Sequence, residues 1–379
     1  MTGKKKYCVV LVITILLAIT VVCLLFYIRS REQEQATILN APVSEESTVP
    51  AAPSGNDAIL DTQSFKKDGP YTIGFSNISL ANTWRVQMAN ELTAEAERQG
   101  VDLIIRDASD SPAQQEADIQ ELIDLQVDAL LVAPDSPIAT SHLTKQAIES
   151  GIPVIIISTR IQGEDSYTAY IGVDDYEFGY ISATWFLEQL DGKGDIIIIS
   201  GMEGNQITND RHQAWLDVLH SLPDHGDNIN VLETYYSEWS YDQGREIMQD
   251  ALSKYDKIDG VFSHGGALSQ GAIEVMLENG YELVPITGES NNGFLKLWTT
   301  LRPTGFSSIA PGYPTWIAAE GLRSAIAILQ GESVAKFNIL PCTAITDDTL
   351  AKYTRQDLSD DFWVISSLTE EQLQYWYGK

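Results

Sequence analysis

The fold is decided by residues 71–107, YTIGFSNISLANTWRVQMANELTAEAERQGVDLIIRD. An apolar strand, Tyr71–Ser76, runs into a polar loop that ends at Trp84 and Arg85. The glutamate- and alanine-rich run that follows predicts a helix, and Leu103–Arg106 predicts a second strand. An aromatic ring and a cation therefore lie where a strand gives way to a helix. In open parallel sheets, ligands bind at this edge.

Strands and helices alternate from Pro70 onward, and each unit spans about 25 to 30 residues. This alternation predicts βαβ units, parallel sheets and right-handed crossovers. The pattern restarts near Asp174. We therefore predict an α/β protein with two similar open parallel-sheet lobes rather than one sheet of about ten strands.

The predicted organisation follows from this restart. We assign the N-terminal lobe to residues 69–173 plus 312–337 and the C-terminal lobe to residues 174–311 plus 338–353. Hinge crossovers are expected near Val173-Asp174, Ala310-Pro311 and Phe337-Asn338. Residues 354–379, rich in acidic and aromatic side chains, form a C-terminal extension that we expect to lie along the outside.

Residues 1–31 differ from the rest of the chain. A lysine cluster precedes the apolar, uncharged run Tyr7–Ile28, which has 22 residues. As a helix this run would measure about 33 Å, enough for a bilayer core of roughly 30 Å. We predict one uncleaved transmembrane helix at 1–31, with the body on the extracytoplasmic side. A cleaved signal peptide, a lipoprotein modified at Cys23 and a buried helix remain alternatives. Residues 32–68, rich in Pro, Ser and Glu, predict a disordered tether.

Composition excludes several classes of function. The chain has 53 acidic and 24 basic residues, a net charge of −29 that repels nucleic acid. No G-x-S-x-G elbow, Walker loop or G-x-G-x-x-G motif occurs, and the His264-Gly265-Gly266 turn alone is a weak oxyanion signal. The histidines and cysteines lack metal-ligand spacing, and Cys342 is the only cysteine of the body. We expect no enzyme activity, no metal and no cofactor.

The residue types that remain at the predicted strand ends suit a neutral sugar. Aromatic side chains cover the C–H faces of a sugar ring, and Arg, Asp, Glu and Asn hydrogen bond to its hydroxyls. The candidate ligand-binding residues are Trp84, Arg85, Asp135, Arg160, Asp174, Arg211, Trp239, Glu289, Asn291 and Asn292.

Several of these candidates also have a purely structural interpretation. The two tryptophans can pack in the core or under a loop, the arginines can form surface ion pairs, Asp174 can be only an N-cap, and Glu289 can be a solvated acid. Their joint occurrence at strand ends of both lobes favours a two-sided cleft over these separate interpretations.

The body from about Pro70 to Tyr353 resembles the periplasmic sugar-binding proteins of ABC transporters, type I, in the ribose- and galactofuranose-binding branch. The segments that carry the resemblance are FSNISLANTWR (75–85), ASDSPAQQEADIQELIDLQVDALLVAPDS (108–136), SGIPVIIISTR (150–160), NDRHQAW (209–215) and GVFSHGGALSQGAIEVM (260–276). The resemblance implies that Trp84 and Trp239 are the aromatic residues of the two lobes. It also implies that Arg160 and Arg211 are two sugar-binding arginines.

The chain departs from this family at several pocket positions. Thr159 stands where the family usually has Asp, and Gly265-Gly266 where it has Asn-Asp. Gly288-Glu289-Ser290 replaces a Gly-Phe-Asp type of turn, and Pro311 replaces a polar residue. We therefore expect a pocket that differs from that for ribose, with Glu289, Asn291 and Asn292 as the substitutes.

Together these features predict a single-pass, membrane-tethered, monomeric solute-binding protein. It would capture a small polar ligand, most simply a monosaccharide, and deliver it to an ABC transporter permease. The alternative is a sugar-sensing module of the same fold that signals to a membrane histidine kinase or a chemoreceptor. A LacI-type regulator would need a helix-turn-helix where the apolar run Tyr7–Ile28 stands.

Overall fold

The computed structural model describes residues 59–134 and 140–379. The predicted transmembrane helix at 1–31, most of the predicted tether and the candidate Asp135 lie outside the described residues. Among the residues that are described, no helix combines the length and apolar character needed to cross a membrane.

Helices and strands alternate along the described chain, as the sequence predicts. The strands are β1 Ile59–Leu60, β2 Thr72–Asn77, β3 Asp102–Asp107, β4 Ala129–Ala133, β5 Val154–Ile157, β6 Ala169–Val173, β7 Gly194–Ile199, β8 Ile229–Tyr235, β9 Gly260–Ser263, β10 Ile286–Thr287, β11 Ser308–Gly312, β12 Val334–Ala335, β13 Phe337–Leu340 and β14 Thr343–Ile345. The helices are α1 Thr83–Gln99, α2 Pro112–Asp124, α3 Ser141–Glu149, α4 Asp175–Gln189, α5 Gln206–Ser221, α6 Tyr241–Lys254, α7 Gly266–Glu278, α8 Asn292–Leu301, α9 Ile317–Gln330, α10 Leu350–Tyr353 and α11 Glu370–Tyr377.

The N-terminal lobe is a parallel sheet with the strand order β13-β6-β5-β4-β2-β3. Its central strands are buried on both faces, which is why β4 and β5 are continuous apolar runs without alternation. Helices α1 and α9 cover one face through Leu92 and Leu322, and α2 covers the other through Ile119. The first of the two predicted parallel sheets is therefore present.

The C-terminal lobe repeats the design with the strand order β14-β11-β10-β9-β7-β8. All neighbours in this sheet are parallel except β14, which pairs antiparallel to β11 at the edge. Its two faces are covered by aromatic-rich clusters around Trp298 and Trp215. The predicted architecture of two parallel-sheet lobes is therefore confirmed.

The chain passes between the lobes at three places in the described topology: from β6 into α4, from β11 into α9 and from β13 into β14. The first two lie close to the predicted hinges. The third hinge was predicted near Phe337-Asn338, which is too early. Because Phe337–Leu340 pairs in parallel with Tyr170–Val173, residues 338–340 belong to the N-terminal lobe.

Residues 354–379 do not simply lie along the outside, as the sequence led us to expect. Leu358, Phe362, Leu373 and Tyr377 form a small apolar core of their own. Trp363 is only 3% exposed and reaches the space between the lobes. The composition of this segment is that of a solvated extension, but its apolar run at 362–365 packs inward.

Candidate functional site

A cavity of about 60 Å³ lies between the two lobes, at the carboxyl ends of their strands. Both lobes, the β11–α9 crossover and the C-terminal segment contribute to its walls. The lining residues are Asn82, Trp84, Arg85, Ser158, Ile207, Arg211, Trp239, Glu289, Tyr313 and Trp363. Five of the ten predicted ligand-binding residues are among them: Trp84, Arg85, Arg211, Trp239 and Glu289.

The wall from the N-terminal lobe is built at the start of α1. Asn82 caps this helix by accepting a hydrogen bond from the backbone N–H of Arg85 at 2.9 Å. The indole Nε1 of Trp84 donates to the carbonyl of Tyr313 at 3.3 Å, and the two rings meet edge to face with centroids 5.5 Å apart. Nη1 of Arg85 donates to Oδ1 of Asn77 at 2.9 Å. Trp84 and Tyr313 thus form an aromatic surface beside the guanidinium of Arg85, which Asn77 holds in place.

Arg211 is the charged centre of the opposite wall. Its Nε lies 3.0 Å from Oδ1 of Asp175, and its Nη1 donates to the carbonyl of His264 at 2.7 Å. Its Cζ lies 3.6 Å from the ring centroid of Phe178, a cation–π distance. These contacts hold the guanidinium beside the cavity, which Arg211 lines.

Burial shapes the ionisation of the acids around Arg211. Burial raises the pKa of Asp175 to about 7, although the Arg211 charge opposes this shift. Burial also raises the pKa of Glu289 to about 7, again against the attraction of Arg211. The charges of Asp175 and Glu289 raise the pKa of Arg211 despite the opposing effect of burial, so the guanidinium stays charged. One fixed cation therefore faces two acids that are near their titration midpoints at neutral pH.

Trp239 completes the wall of the C-terminal lobe. Its backbone has φ of 59°, which is uncommon for an aromatic residue and aims the indole from the loop before α6. The indole packs so closely over Gly201 that a Cβ there would lie 1.9 Å from Cζ2 of Trp239. Gly201 is therefore needed for the close approach of the ring.

A larger cavity of about 490 Å³ adjoins the first and shares Asn82 and Trp239 with it. Its lining includes Asp242, Glu274, Asp361 and the predicted ligand-binding residue Asn291. Trp239 thus lies between the small cavity and a wider one that acidic side chains line.

The structure places Arg160 and Asp174 outside the lining of the small cavity. Nη2 of Arg160 lies 2.9 Å from Oδ2 of Asp210, so this arginine forms an ion pair between the lobes. Asp174 is the N-cap of α4 and accepts from the backbone N–H of Glu177 at 3.0 Å. The neighbour of Asp174, Asp175, is the acid that reaches the site, through Arg211.

Asn291 and Asn292 also have structural roles. Oδ1 of Asn291 caps α8 by accepting from the N–H of Phe294 at 3.1 Å. The side chain of Asn292 accepts from the N–H of Arg355 at 2.9 Å and donates to the carbonyl of Ser359 at 2.9 Å. Nδ2 of Asn291 also donates to the carbonyl of Asp360 at 3.1 Å, so both amides secure the C-terminal segment. Neither residue lines the small cavity, whereas Asn291 lines the larger one.

Several lining residues were missed by the sequence analysis: Asn82, Ser158, Ile207, Tyr313 and Trp363. Ser158 had no sequence signal, since its position depends on an unusual backbone with φ of 69°. Tyr313 directly follows the predicted crossover at Ala310-Pro311, which is the signal that could have found it.

Within the parts of the chain that the structure describes, no group of three or more His, Cys, Asp or Glu side chains is arranged to hold a metal ion. Burial raises the pKa of the Cys342 thiol to about 12, so this cysteine is not a thiolate at neutral pH.

Known proteins share this architecture. Residues 73–333 match the model of the periplasmic binding protein domain. The ribose import binding protein of Bacillus subtilis (strain 168) is 25% identical over 266 residues, which are 70% of this chain and 84% of that protein. The galactofuranose-binding protein of Escherichia coli (strain K12) is 24% identical over 217 residues, 56% of this chain and 67% of that protein.

A solved structure gives the same result. The fructose-binding periplasmic domain of a hybrid two-component system superposes with a TM-score of 0.66 at 26% identity, over 75% of this chain and 93% of that one. The fold is thus the type I periplasmic-binding-protein fold. Because the family model covers more than half of the chain, the protein belongs to the periplasmic binding protein family.

Proposed function

We propose that this protein captures a small neutral polyhydroxyl ligand, most simply a monosaccharide, between its two lobes. The observation that carries the proposal is the small cavity itself, where Trp84 and Trp239 bring aromatic surface from opposite lobes to the same space as Arg211 and Glu289. Aromatic faces suit the C–H surface of a sugar, and a guanidinium with a carboxylate suits its hydroxyls.

Charge favours a neutral ligand over an anion. Arg211 is already paired with Asp175, and Glu289 is a second buried acid in the same electrostatic neighbourhood. An anionic ligand would bring a further negative group to a site whose one cation is already paired, and burying an uncompensated charge is costly. A hydroxyl, which both donates and accepts, adds no charge to the site.

We assign the following roles within the site. Trp84 and Trp239 cover the faces of the ligand ring, and Arg211 donates to its hydroxyls. Glu289 accepts from a hydroxyl, and Arg85 donates from the edge beside Asn82. Arg160 acts indirectly, because its ion pair with Asp210 holds the lobes together. Asp135 follows β4 and stays a candidate contact at that strand end.

The relatives support delivery to an ABC transporter permease as the physiological role. The ribose import binding protein of Bacillus subtilis is a relative over most of the chain, and members of this family bind solutes rather than transform them. We propose that the body acts as a monomer, because both walls of the cavity come from one chain. We also propose that residues 1–31 anchor it in the cell membrane, with residues 32–68 as the tether.

A sensing role is the second candidate. It is favoured by the similarity to a fructose-binding domain of a hybrid two-component system. Covalent cross-linking of the full-length protein in its native membrane separates the two roles. Recovery of transporter subunits supports delivery, whereas recovery of a histidine kinase or chemoreceptor supports sensing.

The ligand class is tested by releasing the bound compound from the purified full-length protein and identifying it by mass spectrometry. We expect a single neutral polyhydroxyl compound. An amino acid, a peptide or an organic anion as the released compound would overturn the proposal.

A further inference from the structure

Residues 354–379, here termed the C-terminal strap, connect the two lobes in addition to the three crossovers. They follow the last strand and helix of the two-lobe fold. Their hydrogen bonds reach α8 in one lobe and α1 in the other. Any change in the arrangement of the lobes must therefore alter the contacts of the strap with at least one of them.

Polar contacts at the start of α8 hold the strap to the C-terminal lobe. The buried amide of Asn292 bonds to the backbone of Arg355 at 2.9 Å and of Ser359 at 2.9 Å. Nζ of Lys296 lies 2.7 Å from Oδ1 of Asp360. Because Asn292 is completely buried, this attachment is part of the lobe and not a surface contact.

Two buried side chains of α1 hold the strap to the N-terminal lobe. Oε1 of Gln87 accepts from the N–H of Trp363 at 2.8 Å, and Nε2 of Gln87 donates to the carbonyl of Trp363 at 2.9 Å. The carboxylate of Glu91 accepts from the hydroxyl of Ser366 at 2.8 Å. It also accepts from the N–H and hydroxyl of Ser367, at 2.9 and 2.6 Å. A buried carboxylate met by several donors fixes the strap firmly.

Trp363 lies where these two attachments meet. Its indole Nε1 donates to Oγ1 of Thr83 at 2.9 Å, in the first turn of α1. Its backbone forms a bridge with Asn291, and the next residue, Val364, donates its N–H to the carbonyl of Ser290 at 2.9 Å. Asn291 and Ser290 directly follow Glu289 of the cavity. Trp363 therefore touches both lobes and lines the ligand cavity at once.

We propose that Trp363 is a specificity-determining residue of the ligand site and that the strap stabilises the lobe arrangement in which Trp363 meets the ligand. The part concerning the ligand rests on the proposed function. A ligand that packs on Trp363 gains this contact only while the strap is attached to both lobes. Ligand affinity and strap attachment are therefore coupled, and a ligand too bulky for this wall is rejected.

The ligand part is tested by titration calorimetry of the full-length protein with D-fructose, D-ribose, L-arabinose and myo-inositol as probes. We expect Trp363→Ala to weaken binding of whichever probe binds the wild type by at least about tenfold. Trp363→Phe should lose less, because a ring remains. The matched control is Tyr375→Ala, an aromatic side chain of the strap that is 82% exposed and lies outside the cavity lining, and its affinity should stay within about twofold of the wild type. Wild-type affinity in Trp363→Ala, or an equal loss in Tyr375→Ala, would overturn this part.

The strap itself is tested without any ligand. Spin labels at Glu97→Cys and Ser253→Cys, in a background with the native cysteines changed to serine, report the distance between the lobes. We expect the double variant Gln87→Ala with Glu91→Ala to widen the distance distribution in the ligand-free protein. Thr93→Ala on the same helix should leave it unchanged.

Should the Gln87 and Glu91 variant fail to fold, Ser366→Ala with Ser367→Ala removes hydroxyl donors from the strap side only and should widen the distribution as well. If these variants fold and the distribution of distances between the lobes is unchanged, the strap does not stabilise the lobe arrangement and this part is refuted. If no probe binds the wild type, the proposed function fails while this distance measurement still decides the role of the strap.

Discussion

Nε of Arg211 lies 3.0 Å from Oδ1 of Asp175, and both side chains are almost completely buried, with 3% and 5% exposed. This pair fixes the cation that faces the ligand cavity. Asp175 starts α4 directly after the first crossover, so the pair also ties the site to a hinge of the molecule. Stability and ligand binding should therefore respond together when the pair is broken.

Arg211→Ala should destabilise the protein by about 3 to 5 kcal/mol and abolish ligand binding, because it leaves Asp175 buried without its cation. Urea unfolding gives the free energy of unfolding. Arg211→Ala combined with Asp175→Ala should recover part of that stability, since Asp175 is then no longer buried without its cation, but none of the binding, since the guanidinium donor is absent. A double variant as unstable as the sum of the two single variants would contradict this interpretation.

The Arg160–Asp210 ion pair joins the lobes at 2.9 Å without lining the small cavity. We expect Arg160→Ala and Asp210→Ala each to weaken ligand binding moderately, by about three- to tenfold. The double variant should be no weaker than either single variant, because one interaction is lost in all three. Calorimetric titration measures this cycle. Complete loss of binding in Arg160→Ala alone would instead indicate a direct contact with the ligand.

Glu289 should make stability depend on pH. Burial raises its pKa from 4.5 to about 7 in the folded protein, so the folded state holds a proton that the unfolded state has lost between these values. The stabilisation by this proton is complete below about pH 4.5 and is lost as the pH rises through 7. We expect up to about 3 kcal/mol from this group.

Urea unfolding at pH 5, 6, 7 and 8 checks this prediction. Glu289→Gln should show a smaller decline with pH than the wild type, although not a flat profile, because burial also raises the pKa of Asp175 to about 7. Exposed Glu97→Gln serves as the control and should follow the wild-type profile. Identical profiles for wild type and Glu289→Gln would rule out a titrating Glu289.

Ligand affinity should rise with pH if Glu289 accepts a hydrogen bond from a ligand hydroxyl. The ionised carboxylate is the better acceptor, so binding is linked to loss of the Glu289 proton. Between pH 6 and 8 we expect the dissociation constant to fall by up to about tenfold. Glu289→Gln should remove most of this dependence. A dissociation constant that rises with pH would mean that protonated Glu289 donates a hydrogen bond to the ligand instead.

The fold could be predicted from the sequence because its signals are local. Apolar runs such as Ala129–Ala133 and Val154–Ile157 appear as buried strands in the structure. Gly100 ends α1 with φ of 66°, as a glycine after a helical run predicts. The exact boundary of a lobe was harder to predict from the sequence. Only the pairing of Phe337–Leu340 with β6 shows on which side of the hinge these residues lie.

The site was predictable only in part, because the type of residue at a strand end does not determine the direction of its side chain. Trp84, Arg211 and Glu289 face the cavity, whereas Arg160 at an equivalent strand end turns to Asp210. Asp174 and Asp175 are adjacent, yet helix geometry makes one a cap and the other the partner of Arg211. Trp363 depends on contacts with Gln87, hundreds of residues away in the chain, which periodicity cannot reveal.

The central claim is that the cavity between the lobes holds a neutral polyhydroxyl ligand. It is tested most directly by the thermal melting of the full-length protein against a panel of pentoses, hexoses, furanose-forming sugars and cyclic polyols. We predict that at least one of them raises the melting temperature as RT ln(1 + [L]/Kd) requires, and that Arg211→Ala abolishes the shift. A panel without effect on the wild-type protein, or an undiminished shift in Arg211→Ala, would contradict the account.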